Sequence, residues 1–111
     1  MGYSKYNAHK TIIDNISFDS RKEADRYREL RFLENAGIIK HLVRQPEFTL
    51  QEAFVCDGKK ERKIVYRADF IYEEDGRTVV EDVKGMKTEV YKIKRKLFLY
   101  QYGDKYVFRE V

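Results

Sequence analysis

The pair Asp75-Gly76 does more than any other feature to limit what this chain can fold into. It stands between KIVYRADFIY and RTVVEDVKG, two runs rich in β-branched and aromatic residues, and Asp-Gly in that setting is the strongest short signal for a two-residue β-hairpin loop. Such a loop sets Glu74 opposite Arg77 and, counting outward, Asp69 opposite Asp82. A four-residue loop, Glu73 to Gly76, sets Asp69 opposite Val80 and diagonal to Asp82, on the same side of the sheet. Only an odd loop or a bulge separates the two acids. Because side chains alternate, Asp69, Asp82 and Lys84 share a face with Arg67 behind them, while Glu81 and Val83 point the other way.

Directly opposed residues have Cβ atoms about 4.5–5.5 Å apart, and like charges set so destabilise a hairpin. A carboxylate buried without a partner is costly, and two side by side cost more. TVVEDVKG, residues 78–85, therefore calls for solvent or for a positive partner, and a divalent cation is one such partner. Asp57-Gly58-Lys59 and Glu61-Arg62-Lys63 repeat the acid-x-Lys spacing, but they lie in a charged stretch, whereas Asp82-Val83-Lys84 ends a hydrophobic strand. An exposed hairpin face with cross-strand ion pairs is the competing reading.

Upstream, Ser20 and Glu23 fit a capping box, and Ala24, Tyr27, Leu30 and Leu33 form an apolar stripe. The spacing predicts a helix over 21–35, ended by Gly37. Glu23 falls inside the apolar sector and points towards the sheet, so capping and site roles compete for its carboxylate. Residues 38–43 are a short apolar segment leading into QPEFTLQEAF, which reads as a strand with Pro46 at its start. CDGKKERK, residues 56–63, reads as a charged turn. Thr88 is a candidate N-cap for a second helix whose stripe is Val90, Ile93, Leu97 and Tyr100, ended by Gly103, and KYVFREV is a last strand. The predicted order is helix, three-stranded meander, helix, strand.

A chain of 111 residues suits one domain, here with residues 1–19 as an N-terminal arm that ends in a short strand or turn at 12–18. Cys56 is the only cysteine, which excludes an intramolecular disulfide and a thiolate zinc cluster. His9 and His41 match no zinc spacing. With neither a signal-like apolar run nor a stretch of about 18 apolar residues, a soluble cytoplasmic protein without membrane association is expected. The net charge of +4 and pI near 9.1 favour an anionic partner. Two places could contact nucleic acid: Lys92, Arg95 and Lys96 on one side of the second helix, with Lys94 elsewhere, and Lys5 and Lys10 among Tyr3, Tyr6 and His9. Charge runs are also ordinary solvated surface.

An Asp on the second strand, a D/E-x-K on the third, a Glu on the preceding helix and the order αβββαβ together resemble the PD-(D/E)xK nuclease superfamily. That superfamily includes type II restriction enzymes and archaeal Holliday-junction resolvases. More closely, FDSRKEADRYRELRFLENAGII, RQPEFTL, YRADFIY and VVEDVKG resemble a family of small phage-encoded nuclease-like proteins, some described as Holliday-junction resolvases. The resemblance covers nearly the whole chain. It implies an α/β (α+β) fold with a restriction-endonuclease-like αβββαβ core, a mixed central sheet flanked by helices. It also implies a catalytic set of Glu23, Asp69, Asp82 and Lys84. In that pattern Asp69, Asp82 and the Val83 carbonyl ligate metal, and Glu23 binds it through water or supports a second ion. Ala68 stands where the motif has Pro.

Two aspartates suit Mg²⁺, with Mn²⁺ as a substitute, because Mg²⁺ takes oxygen ligands, keeps several waters and is held by one or two carboxylates plus phosphate oxygens. Lys84 would orient the attacking water and stabilise charge in the transition state. The expectation is a Mg²⁺-dependent endodeoxyribonuclease without a nucleotide cofactor. The resemblance adds branched or duplex DNA as substrate, a homodimer, and phage recombination, replication or packaging in a host cytoplasm as the setting. A DNA-binding accessory protein that keeps the fold without catalysis, and a structural protein with a charged hairpin, remain open.

Overall fold

A computed structural model describes residues 10–111, so Lys5 and its neighbours Tyr3, Tyr6 and His9 lie outside the described residues. Of the segment read as an arm, β1 (Thr11–Ile13) and β2 (Ile16–Phe18) pair as a hairpin, with Asp14 and Asn15 both at positive φ in the turn. Ser20 then caps α1 (Arg21–Asn35), its Oγ accepting the Glu23 N–H at 3.1 Å. Ala24, Tyr27 and Leu30 are buried as the stripe predicts, and Gly37 at φ 78° takes the chain out of the helix.

The strands β3 (Ile39–Arg44), β4 (Glu47–Gln51), β5 (Phe54–Cys56), β6 (Lys59–Glu61), β7 (Ile64–Arg67), β8 (Phe70–Glu74) and β9 (Arg77–Asp82) follow. Next comes α2 (Glu89–Tyr102), whose N-cap Thr88 accepts the Tyr91 N–H at 3.1 Å, and then β10 (Val107–Glu110). Among the described residues the fold is mixed α/β, with two helices and ten strands. The central sheet runs β10-β9-β8-β3, and all its neighbours are antiparallel except β9 and β10. That parallel pair requires a crossover, which α2 supplies.

Asp75 (φ 53°) and Gly76 (φ 76°) form the two-residue loop, and β8 and β9 pair in the register it dictates, from Glu74↔Arg77 to Phe70↔Glu81. Alternation along β8 and β9 then builds two cores. Phe70, Tyr72 and Val79 pack with Phe18, Tyr27, Leu30 and Ile39 under α1. Val80 lies on the opposite face with Phe48, Tyr66, Tyr91 and Phe98 under α2.

Four expectations about the elements need correction. The first strand of the central meander is Ile39–Arg44, and QPEFTLQEAF instead supplies β4, which pairs with β7 outside that sheet. KIVYRADFIY is two strands that change partner at Ala68-Asp69. There Ala68 N–H donates to the Pro46 carbonyl at 3.1 Å, and Gln45 N–H donates to the Asp69 carbonyl at 2.9 Å. The charged turn at 56–63 is narrower than read: Cys56 pairs with Lys59 and Phe54 with Glu61 around a turn at Asp57-Gly58. The α2 stripe is reversed. Val90, Ile93, Leu97 and Tyr100 are exposed, at 62%, 60%, 38% and 88%, while Tyr91 and Phe98 are buried. The helix carries two apolar stripes, and the aromatic one, with more area to bury, faces the sheet. No helix among the described residues is long and apolar enough to cross a membrane.

Candidate functional site

Asp69, just before β8, and Asp82, at the end of β9, lie close together, although the paired register stops at Phe70↔Glu81. Asp69 N–H donates to the Glu81 carbonyl at 3.1 Å, one residue out of step with that register, as in a β-bulge, and Asp69 Oδ2 accepts the Val83 N–H at 2.6 Å. Asp82 is 1% exposed, and its Oδ2 accepts a hydrogen bond from the Tyr66 hydroxyl. Its Oδ1 is buried and receives no directed hydrogen bond, although Lys84 Nζ approaches to 2.9 Å as an ion pair. Lys84 Nζ also lies 4.3 Å from the centre of the Tyr91 ring, a cation–π contact that holds the ammonium over the acids.

Parallel pairing with β10 fixes the backbone on either side of Val83. Val111 N–H donates to the Asp82 carbonyl at 2.9 Å, Lys84 N–H donates to the Val111 carbonyl at 3.1 Å, and Lys22 Nζ donates to the Lys84 carbonyl at 2.9 Å. From α1, the Glu23 carboxylate lies 4.0 Å from Arg44 Nη2 with a side chain only 15% exposed. Only the serine half of the predicted capping box is therefore made by side chain to backbone, and Glu23 faces the sheet. The Arg44 guanidinium sits 4.7 Å from the Phe18 ring centre.

The electrostatics reflect like charges in a confined space. Burial pushes the Asp69 carboxyl up to about 7, the Val83 N–H opposes that shift, and the Asp82 and Glu23 charges add to it. Glu23 is also raised, mainly by burial, with Arg44 pulling the other way and Asp19 and Asp82 pushing with it. Burial and the neighbouring Asp82 carboxylate raise the Tyr66 phenol, so it stays a donor.

Glu81 answers its half of the charge problem in a different way. Alternation turns it to the α1 face, where it is fully buried, and Arg26 clamps it with Nη2 2.9 Å from Oε2 and Nε on Oε1, while the Tyr72 hydroxyl donates at 2.6 Å. Adjacent acids on one strand thus have unlike partners: Glu81 an arginine and a tyrosine, Asp82 a tyrosine, a lysine and a second carboxylate.

Glu23, Asp69, Asp82 and Lys84 come together as the sequence predicts, within mutual electrostatic reach. Arg67 does not stand behind them; it pairs with Glu47 across β4 and β7. Of the basic helix residues, Lys92 is exposed and lies 3.3 Å from Glu89, and Lys96 is exposed. Arg95 turns to Glu110 at 3.4 Å and to the Phe108 ring. Lys10, just before β1, is exposed. Tyr66 and Tyr91 were not foreseen. Their signal was hydroxyl-bearing aromatics on faces that pack towards Asp82, readable only once the α2 face was known. Between them runs a groove of about 420 Å³ lined by Val65, Tyr66, Arg67, Thr88, Tyr91 and Lys94.

Among the described residues no three His, Cys, Asp or Glu side chains are arranged at metal-ligand spacing. Two carboxylates with waters and substrate oxygens are nevertheless what Mg²⁺ takes. The buried Asp82 Oδ1 without a directed donor, beside an Asp69 carboxyl that burial and its acidic neighbours push upward, fits a hard cation. The donor set therefore suits Mg²⁺ or Mn²⁺ and offers no nitrogen or sulfur ligand for zinc.

The chain belongs to the family described as protein of unknown function DUF1064, whose match spans residues 3–110. No curated protein matches the sequence.

Proposed function

We propose that this member of the family is a metal-dependent DNA endonuclease that hydrolyses phosphodiester bonds. The observation that carries the reading is the proximity of Asp69 and Asp82 at a strand end, with Lys84 Nζ 2.9 Å from Asp82 Oδ1. The resemblance of the same residues to the PD-(D/E)xK pattern supports it. Asp69 and Asp82 with the Val83 carbonyl would hold Mg²⁺ or Mn²⁺, with Glu23 reaching it through water. Bound there, the ion supplies Lewis-acid chemistry and acidifies a bound water.

The chain's own groups do the rest. Water adds to phosphorus and the bond to the leaving sugar oxygen breaks, so negative charge builds on the phosphoryl oxygens, where the Lys84 ammonium stabilises it. Tyr66 holds the Asp82 carboxylate in one orientation, and Tyr91 holds Lys84 above it. Branched DNA as the preferred substrate and a homodimer as the working form rest on the resemblance alone.

Labelled four-way junction, duplex and single-stranded DNA incubated with Mg²⁺ or Mn²⁺ test the reading. Cleavage that needs the metal and is lost in Asp82→Asn is the expected result. One observation favours a second reading, a DNA-binding accessory protein: the Lys84–Asp82 ion pair neutralises Asp82 without a metal. DNA that binds without yielding product in either metal would select that reading.

A further inference from the structure

The segments β4, β5, β6 and β7 are one long hairpin. Pairing runs in a single register from Cys56↔Lys59 through Phe54↔Glu61 to Gln51↔Ile64, and shifts only at an irregularity between Thr49 and Gln51. The two halves on either side of that shift differ completely in burial. The inner half carries Phe48, Leu50 and Tyr66 into the α2 core and is tied down by Gln101 Nε2 on the Leu50 carbonyl at 2.7 Å and Tyr102 on the Thr49 carbonyl at 2.8 Å. The outer half buries nothing: every residue from Gln51 to Ile64 is exposed.

A two-stranded ribbon with both faces in water is marginal by itself and adds no core, so folding gives no reason for it. Its chemistry gives one. Lys59 and Lys60 on β6 and Arg62 and Lys63 between β6 and β7 crowd one side of the hairpin, and none of them makes an ion pair among the described residues. Lys60 stands opposite Val55 on one face, while Lys59 projects from the other face opposite Cys56, so cations leave both faces of the ribbon. From Glu52 to the Asp57-Gly58 turn the arm reaches roughly 17 Å at about 3.3 Å per residue. That is long enough to lie along a groove of B-DNA, whose major groove admits a two-stranded ribbon between its phosphate walls.

We propose that this outer hairpin is a nucleic-acid-gripping arm, which lies in a groove of duplex DNA and contacts phosphates on both sides. The inference rests on the nuclease reading for the identity of the partner. The arm is joined to the site directly, since β7 supplies Tyr66 to Asp82 and leads through Ala68 into Asp69.

The test is fluorescence anisotropy of the full chain on a labelled DNA duplex in calcium, across a salt series, for wild type and Lys60→Gln/Arg62→Gln, with thermal melts of both. Loss of two phosphate contacts is expected to lower the slope of log K against log salt by about 1.8 and to weaken binding roughly tenfold, with an unchanged melt. An arm variant with wild-type affinity and slope, in a protein that binds and cuts DNA, would overturn the arm and leave the nuclease standing. A wild type with no affinity for DNA would overturn both.

Discussion

Removing either partner of the Arg26–Glu81 pair should destabilise the protein, but by unequal amounts. Glu81 is fully buried, whereas the Arg26 side chain is 20% exposed and also lies 2.9 Å from Glu29 Oε2. Arg26→Met therefore strands a carboxylate in the α1 core with only the Tyr72 hydroxyl at 2.6 Å for company. Breaking a buried pair from one side costs about 3–5 kcal/mol, and the surviving tyrosine bond places this variant towards the lower end. Glu81→Gln keeps the shape and an acceptor for the guanidinium, which retains Glu29 and some water, so its cost is about 1–2 kcal/mol. Urea unfolding, with the m-value checked for constancy, measures both, and each kcal/mol corresponds to roughly 4–8 °C in Tm for a domain near this size. The double variant should cost less than the two single losses combined, because the second change removes the stranded charge that the first creates. Equal costs for the two single variants, or a loss below about 1 kcal/mol for Arg26→Met, would refute the claim that burial asymmetry governs this pair.

Tyr66→Phe removes the hydroxyl from buried Asp82 Oδ2 and should cost about 1–3 kcal/mol in chemical denaturation. Phe98→Ala should cost about 3–5 kcal/mol, while Ile93→Ala, on the exposed side of the same helix, should stay within about 0.5 kcal/mol; parallel thermal melts decide which face of α2 is packed. A melt with Mn²⁺ should raise the wild-type midpoint, by an amount that grows with metal concentration, and leave Asp69→Asn/Asp82→Asn unmoved. Ser20→Ala should cost about 0.5–2 kcal/mol by urea denaturation, the value of one N-cap bond.

Two local signals carried most of what could be read beforehand. Asp75-Gly76 specifies a backbone geometry that few other pairs adopt, so the register of β8 and β9 from Glu74↔Arg77 to Phe70↔Glu81 follows from counting, while the slip at Asp69 does not. Ser20 with a clean helical stripe did the same for α1. The misreadings arose where local pattern was degenerate. On α2, both Val90-Ile93-Leu97-Tyr100 and Tyr91-Phe98-Tyr102 satisfy helical spacing, and only the packing of Phe48 and Tyr66 against the ring of Phe98 selects the second. In KIVYRADFIY nothing local marks a break, because the break is made by the other chain segment: Gln45 at φ 53° and Pro46 turn β3 into β4, and β7 follows β4 away from the sheet. The partners of Glu81 could not be read at all, since Arg26 is distant in sequence and lies among other charged residues of α1.

That change of partner also explains why the acids can sit where they do. A carboxylate inside a paired strand needs a dedicated buried partner, as Glu81 has in Arg26. At Ala68-Asp69 the chain leaves β4 for β3, and at Asp82 the strand β9 ends, so both aspartates lie where the layers part. Three groups there satisfy them: a phenol from β7, a lysine two residues on, and the amide of Val83. The same divergence sends the exposed hairpin off the sheet from the residue next to Asp69. Tyr66 lies in the packed inner half of that hairpin, under α2, and its hydroxyl is bonded to Asp82, so the core that anchors the hairpin also fixes the acid.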